Sequence, residues 1–247
     1  ILSRTKSVFL TGLLMFGLTA AVFGQTPLET PPPPSEPTSF KVPTVRETNL
    51  SNGLKVVLIE KKGLPLVTTS LLVKRGAERE SARLAGLANM TATLLTKGTE
   101  YRSSTEIAEQ IEFLGARIGS GADWESSVVS VTVMKDSLGK ALSIMSDAAI
   151  RPGFPDSEVA LLKKQTLDGF NVSLKQPRSL WNYVSSRYSY GEHLTGGTPE
   201  TIKRIDRRNI VNFHTRHFRP QNSVLIFTGD ISEISAFGFA KLFFGSW

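Results

Sequence analysis

Between residues 84 and 95 the apolar positions fall at Leu84, Leu87, Ala88, Thr91 through its methyl, Leu94 and Leu95. That i, i+3, i+4, i+7 spacing predicts an amphipathic helix within residues 86–99, GLANMTATLLTKGT, with one face in the core and Gly98 as its stop. Asn89, Ala92 and Thr93 lie three and four residues apart and cluster on a neighbouring face. Ahead of this helix, two apolar runs, 47–50 and 54–59, flank Ser51-Asn52-Gly53, a strong hairpin signal. A third strand is predicted over 67–74, followed by a charged, loop-like stretch over 75–83.

After the helix, Ser103 and Glu106 have the spacing of a capping box, opening a helix that buries Ile107, Ile111 and Leu114 and ends at Gly115. Residues 118–134 return to strand, most clearly where Val129, Val131 and Val133 alternate with Ser130 and Thr132. Helices are predicted over 137–150, 156–174 and 178–188, with one or two within 199–217 and a last one over 234–244. A short buried strand precedes the last, at 223–228. Strands in hairpins and helices in runs point to an α+β domain with a mainly antiparallel sheet packed against several helices.

Composition narrows the chemistry. The 247 residues are 40% hydrophobic and 21% charged, enough apolar content for a core, and with no cysteine the chain excludes disulfides, thiolate metal sites and a cysteine nucleophile. The net charge of +7 is scattered, without a basic run interleaved with aromatics, which argues against a nucleic-acid partner. Residues 1–24 read as an export signal, with Arg4 and Lys6 before an apolar stretch from Val8 to Val22 and cleavage expected before Gln25. Any membrane attachment would be through an uncleaved form of that segment. Residues 25–42 form a Pro-rich linker holding six of the thirteen prolines, and residues 43–247 form the domain. The expected location is the periplasm or cell envelope.

The order GLA, then a run ending LLTKGT, preceded by a strand ending Lys-Arg-Gly-Ala-Glu, resembles the N-terminal domain of the insulinase/pitrilysin family of zinc peptidases. Further segments support it in matching order: PRSL at 177–180, YGEHLTGGTPETIKRI at 190–205, HFRPQNSVLIFTGDI at 217–231 and the ending KLFFGSW. In active members the central helix bears an inverted zinc motif, H-x-x-E-H, whose two imidazoles bind the metal while the glutamate takes a proton from metal-bound water. The five positions here are Asn89, Met90, Thr91, Ala92 and Thr93. The family's third ligand falls near Gly169, with Asp168 beside it. The resemblance therefore implies the fold and a non-catalytic, metal-free member, with no cofactor expected, because an amide, a hydroxyl and one carboxylate make a poor zinc site. It also implies a homologous C-terminal domain, absent from these 247 residues, and a zinc-competent homologous subunit as partner.

The same resemblance makes the strand around Gly119, Ser120, Gly121, Ala122, Asp123 and Trp124 the candidate for contact with extended peptides, by addition of the peptide to a sheet edge. Against that stands a plain edge strand rich in small residues. His214 and His217 have a metal-like spacing but sit near a helix end, where basic residues suit the dipole. His193, in a glycine-rich turn, is expected at the surface, and Asp136 as a helix cap. Three readings follow. The first is an inactive peptidase-like domain serving as peptide-binding and structural partner of a zinc-competent homologue. The second is an independent binding or scaffolding module of the cell envelope, and the third a hydrolase using non-standard ligands such as His214 and His217.

Overall fold

A computed structural model describes residues 43–191 and 193–247. The leader and linker of the sequence reading, 1–24 and 25–42, lie outside the described residues. A six-stranded sheet runs in the order β1 (Val45–Asn49), β2 (Lys55–Glu60), β6 (Ser223–Gly229), β3 (Leu66–Val73), β5 (Ser127–Met134), β4 (Arg117–Ala122). Every pairing is antiparallel except β2 with β6. The β1–β2 hairpin turns at Asn52-Gly53 as its residues predict. Gly53 takes a left-handed φ of 89°, and the Asn52 carboxamide oxygen accepts from the Leu54 N–H at 3.1 Å.

Alternation along the central strands builds the core. Val67, Thr69, Leu71 and Val73 of β3 and Ser127, Val129, Val131 and Val133 of β5 are buried, while their neighbours are only partly so. Eight helices are present among the described residues: α1 (Leu87–Leu94), α2 (Ser104–Phe113), α3 (Leu138–Ile150), α4 (Asp156–Ser173), α5 (Pro177–Tyr190), α6 (Pro199–Arg204), α7 (Arg207–His217) and α8 (Glu233–Phe244). Helices α1, α3 and α8 pack on the sheet, and α7 packs on α1. The capping box at Ser103 forms in full, and Asp206 opens α7 in the same way.

Three local expectations are corrected. The central helix is shorter than predicted: Leu84 closes a separate 3₁₀ turn, and regular α structure stops at Leu94, with Gly98 four residues beyond. The run 118–134 is two strands joined by a hairpin at 123–126 rather than one. Asp136 caps nothing; it sits inside a 3₁₀ turn, and Ser137 at the α3 N-cap makes no side-chain capping bond. In contrast to the buried α1 and α3, helix α4 buries only Val159 and α5 buries no residue, which leaves Trp181, Tyr188 and Tyr190 exposed.

Candidate functional site

The N-terminus of α1 is the best-built polar feature of the molecule. The 3₁₀ turn Ala77–Arg79 is stitched to the β4–β5 hairpin, the Ala77 N–H donating to the Asp123 carbonyl at 2.9 Å and the Glu78 N–H to the Trp124 carbonyl at 3.0 Å. That turn carries Glu80 under the first turn of α1, where its carboxylate accepts from the N–H groups of Gly86 at 2.7 Å and Ala88 at 2.6 Å. Two of the helix's orphan donors are satisfied this way. Burial pushes the Glu80 carboxyl up to about 7, outweighing the backbone donors that favour its ionised form; the Glu78 charge adds a smaller push in the same direction.

Gly86 and Gly197 let two backbones meet over this carboxylate. Both have left-handed φ, of 95° and 75°, and a Cβ on Gly197 would stand 2.4 Å from the Ala85 carbonyl oxygen. The Thr201 hydroxyl closes the contact, donating to the same carbonyl at 2.8 Å. His193, expected at the surface, is held inside this junction, its Nε2 lying 3.5 Å from Glu80 Oε1 and its ring 4.8 Å from that of Trp124, edge on. From the sequence Glu80 is not singled out, and His193 reads only as a surface residue of a turn. A charged stretch and a glycine-rich turn carry no local sign that they will be folded against each other.

Further along α1, the positions aligned with the inverted zinc motif offer no metal donor set. Thr91 is fully buried and its hydroxyl donates to the Leu87 carbonyl at 2.8 Å; Ala92 is fully buried. The Thr93 hydroxyl turns back to the Asn89 carbonyl at 2.9 Å, and the Asn89 amide donates to the Ala122 carbonyl at 3.3 Å. Asn89 and Thr93 are thus joined on one face, as their spacing predicts, by backbone satisfaction. Gly169 and Asp168 are exposed on α4, and a Cβ on Gly169 would meet nothing within 4 Å. These residues do not fit zinc, which asks for imidazole or thiolate donors converging on one point. Among the described residues no three His, Asp or Glu side chains converge in that way.

His214 and His217, the example ligands of the third reading, do not form a ligand pair. His214 is a core residue whose Nε2 donates to the Ala149 carbonyl at 2.9 Å, between the rings of Phe154 and Phe218, and burial pushes its imidazole down to about 4. His217 packs on Phe213, 4.7 Å between ring centres, and is held below its ordinary value by partial burial and by Arg216, Arg75 and Arg79. The two rings serve separate purposes and do not share a ligand.

Gly119, Ser120, Gly121 and Ala122 lie on β4, one of the two edge strands of the sheet, and Cβ atoms on Gly119 and Gly121 would face open space. Asp123 organises the hairpin tip, its carboxylate accepting from the N–H groups of Glu125 and Ser126 at 3.1 and 2.8 Å. Trp124 leads from that tip into a cleft of about 840 Å³ walled by Phe170 of α4, Tyr183 and Tyr190 of α5, and the 193–197 loop.

The family model for insulinase (peptidase family M16) matches residues 55–196, a stretch containing β2, the whole of α1 and the open edge strand. The chain belongs to the insulinase family. Among its relatives, the beta subunit of the mitochondrial-processing peptidase of Bos taurus is 27% identical over 211 residues, covering 83% of this chain and 43% of that protein. An uncharacterized zinc protease of Bacillus subtilis is 21% identical over 193 residues, covering 76% of this chain and 47% of its own. The chain therefore spans less than half the length of these curated relatives. A solved structure described as a peptidase M16 inactive domain, from Pseudomonas fluorescens, superposes with a TM-score of 0.76 at 25% identity, over 82% of this chain and 50% of that one. The periplasmic protease PqqL of Escherichia coli shares the fold, with a TM-score of 0.73 at 17% identity over 81% of this chain and 24% of its own. The insulinase-family reading of the sequence and its α+β fold class both hold.

Proposed function

We propose that this insulinase-family domain binds extended peptides without hydrolysing them and completes the chamber of a zinc-competent homologue in the cell envelope. The observation that carries the reading is the contrast between two parts of one site. The edge strand β4 and its aromatic cleft are open, while the motif positions Asn89, Ala92 and Thr93 are spent on packing and on backbone carbonyls. A peptide adding to the free edge of β4 forms main-chain hydrogen bonds there, and the glycines at 119 and 121 leave room for its side chains. One large side chain then reaches the cleft between Trp124 and Tyr183.

Support for a partnered role comes from relatives named as the beta subunit of the mitochondrial-processing peptidase and from a neighbour called an inactive domain. Export rests on the leader-like residues 1–24. The test combines zinc content with co-purification. The purified chain should hold less than about a tenth of an equivalent of zinc after dialysis against a weak chelator. Co-expressed with a homologue that keeps an intact H-x-x-E-H, it should form a complex and raise that homologue's peptidase activity. Near one equivalent of zinc, or no complex and no change in activity, would end the proposal; stable peptide binding without any peptidase partner would favour the independent scaffold.

A further inference from the structure

Helix α5 has two faces, and only one of them belongs to the cleft. Asn182, Tyr183, Ser186 and Tyr190 line the cleft wall, and the Tyr183 ring meets that of Phe170 of α4 edge on, 6.4 Å between centres. Leu180, Val184 and Tyr188 recur every four residues with Trp181 beside them, so they share another face of the same helix. All four are exposed, Trp181 at 71% and Tyr188 at 93%, and none lines the cleft. Helices α4 and α5 together bury only Val159, so this face stands clear of the core. Val172, near the end of α4, adds one more exposed apolar side chain close to the turn that joins the two helices.

We infer that the outer face of α5, together with the α4–α5 turn, docks on an anionic lipid bilayer and seats Leu180, Trp181, Val184 and Tyr188 at the level of the headgroups. The charge around this face is basic. Lys175 lies in the turn, Arg178 in the first turn of α5 and Arg187 in the last, and α5 contains no acidic residue. Such a helix gains twice on an anionic surface, because its apolar side chains leave water and its cations meet lipid phosphates. Trp and Tyr suit that boundary, each having an apolar ring body and a polar tip, and the long stems of lysine and arginine hold their charges among the phosphates. This is a means of attachment separate from the leader to which the sequence points.

Two other occupants fit less well. A second copy of this chain would bring together two helices that carry arginines and no acid, in a molecule of net charge +7. A peptide needs a groove, whereas these side chains project outward and the cleft lies on the other side of α5. A bilayer surface yields to projecting side chains and requires no matching cavity. The docking goes beyond peptide binding, since it uses the far side of α5 from Tyr183 and Ser186 and holds with or without a peptidase partner.

The test uses residues 25–247, because the apolar leader would itself enter a bilayer, and the buried core of the described residues lies between Leu54 and Phe244. Cosedimentation is measured with vesicles of phosphatidylcholine alone and of phosphatidylcholine with an equal part of phosphatidylglycerol. The protein should pellet with the anionic vesicles, bind the neutral ones about tenfold more weakly or less, and lose binding as salt is raised. Trp181→Ser combined with Tyr188→Ser should weaken binding to the anionic vesicles by about tenfold or more. Its thermal midpoint should stay that of the wild type, since both side chains are exposed. Phe113→Ser, which removes a comparably exposed aromatic ring from α2, should leave binding unchanged. Binding that survives the double substitution would be the pull of net charge alone and would overturn the inference. So would no binding to the anionic vesicles, an equal loss with Phe113→Ser, or a lipid-free dimer in sedimentation velocity that the double substitution abolishes. Emission taken as wild type minus Trp181→Phe should move to shorter wavelength on adding the anionic vesicles, and an unmoved difference would place that indole outside the bilayer and refute the docking.

Discussion

Replacing His214 with glutamine should remove one of two opposing pH dependences of stability and expose the other. Two buried groups oppose each other. Burial raises the Glu80 carboxyl from 4.5 to about 7, so the folded state binds more protons than the unfolded chain between those values, and stability falls as pH rises through that window. Burial lowers the His214 imidazole from 6.5 to about 4, so the folded state binds fewer protons between those values, and stability falls as pH drops. Each slope is about 1 kcal/mol per pH unit between pH 5 and 6, with opposite sign, so together they nearly cancel there. Glutamine at 214 can still donate an amide N–H to the Ala149 carbonyl but cannot titrate. Urea unfolding at pH 5.0, 5.5 and 6.0, taken as His214→Gln minus wild type, removes the contribution of all other ionisable groups. The difference should shift by about 1 kcal/mol toward destabilisation as pH rises across that unit, and Glu80→Gln minus wild type should shift by a similar amount the other way. A His214→Gln difference that does not change with pH would show that the imidazole is not held neutral by the core, and the reasoning would fail.

Three further outcomes rest on single contacts. Thr69→Val should stabilise the fold by about 1 kcal/mol in urea or thermal unfolding, because the Thr69 hydroxyl is buried in β3 with no hydrogen-bond partner among the described residues. Gly229→Ala should cost about 3 kcal/mol or more by the same measurement. Its φ is 132° and the new Cβ would stand 2.1 Å from the Leu66 carbonyl oxygen, so both conformation and space are refused. Ser103→Ala breaks the box that opens α2 and should cost about 1 kcal/mol, with Ser103→Asp recovering most of it.

What could be read from the chain was what local chemistry decides. Asn52-Gly53 set the first hairpin and Ser103 with Glu106 set the start of α2, because in both cases the partner atoms lie within three residues. The alternation in β5 and the face of α1 were legible because burial follows a fixed period. The meeting of Glu80 with His193 was not legible, because 113 positions separate residues that no pattern links; only tertiary packing brings a glycine-rich turn over a helix N-terminus. Glu80 also reads as one charge among several in 75–83, and nothing local says that backbone amides will engage it eight residues later. The motif positions were legible as a loss of donors, while the uses of Asn89 and Thr93 needed the carbonyls of Ala122 and Asn89 in space.

The sheet order bears on how such a chain becomes folded as it is made. Strands β2 and β3 follow one another in sequence, yet β6 lies between them and pairs with both. A nascent chain that has emerged as far as α7 thus holds a hairpin and a three-stranded piece whose facing edges have no bridge. Both must wait for Ser223–Gly229 before they join. Such late, long-range closure is slow and leaves strand edges open to other chains in the meantime. A factor that keeps the polypeptide unfolded until the last strand is available, as passage through a secretion channel does, would suit this topology better than folding from the N-terminus as synthesis proceeds.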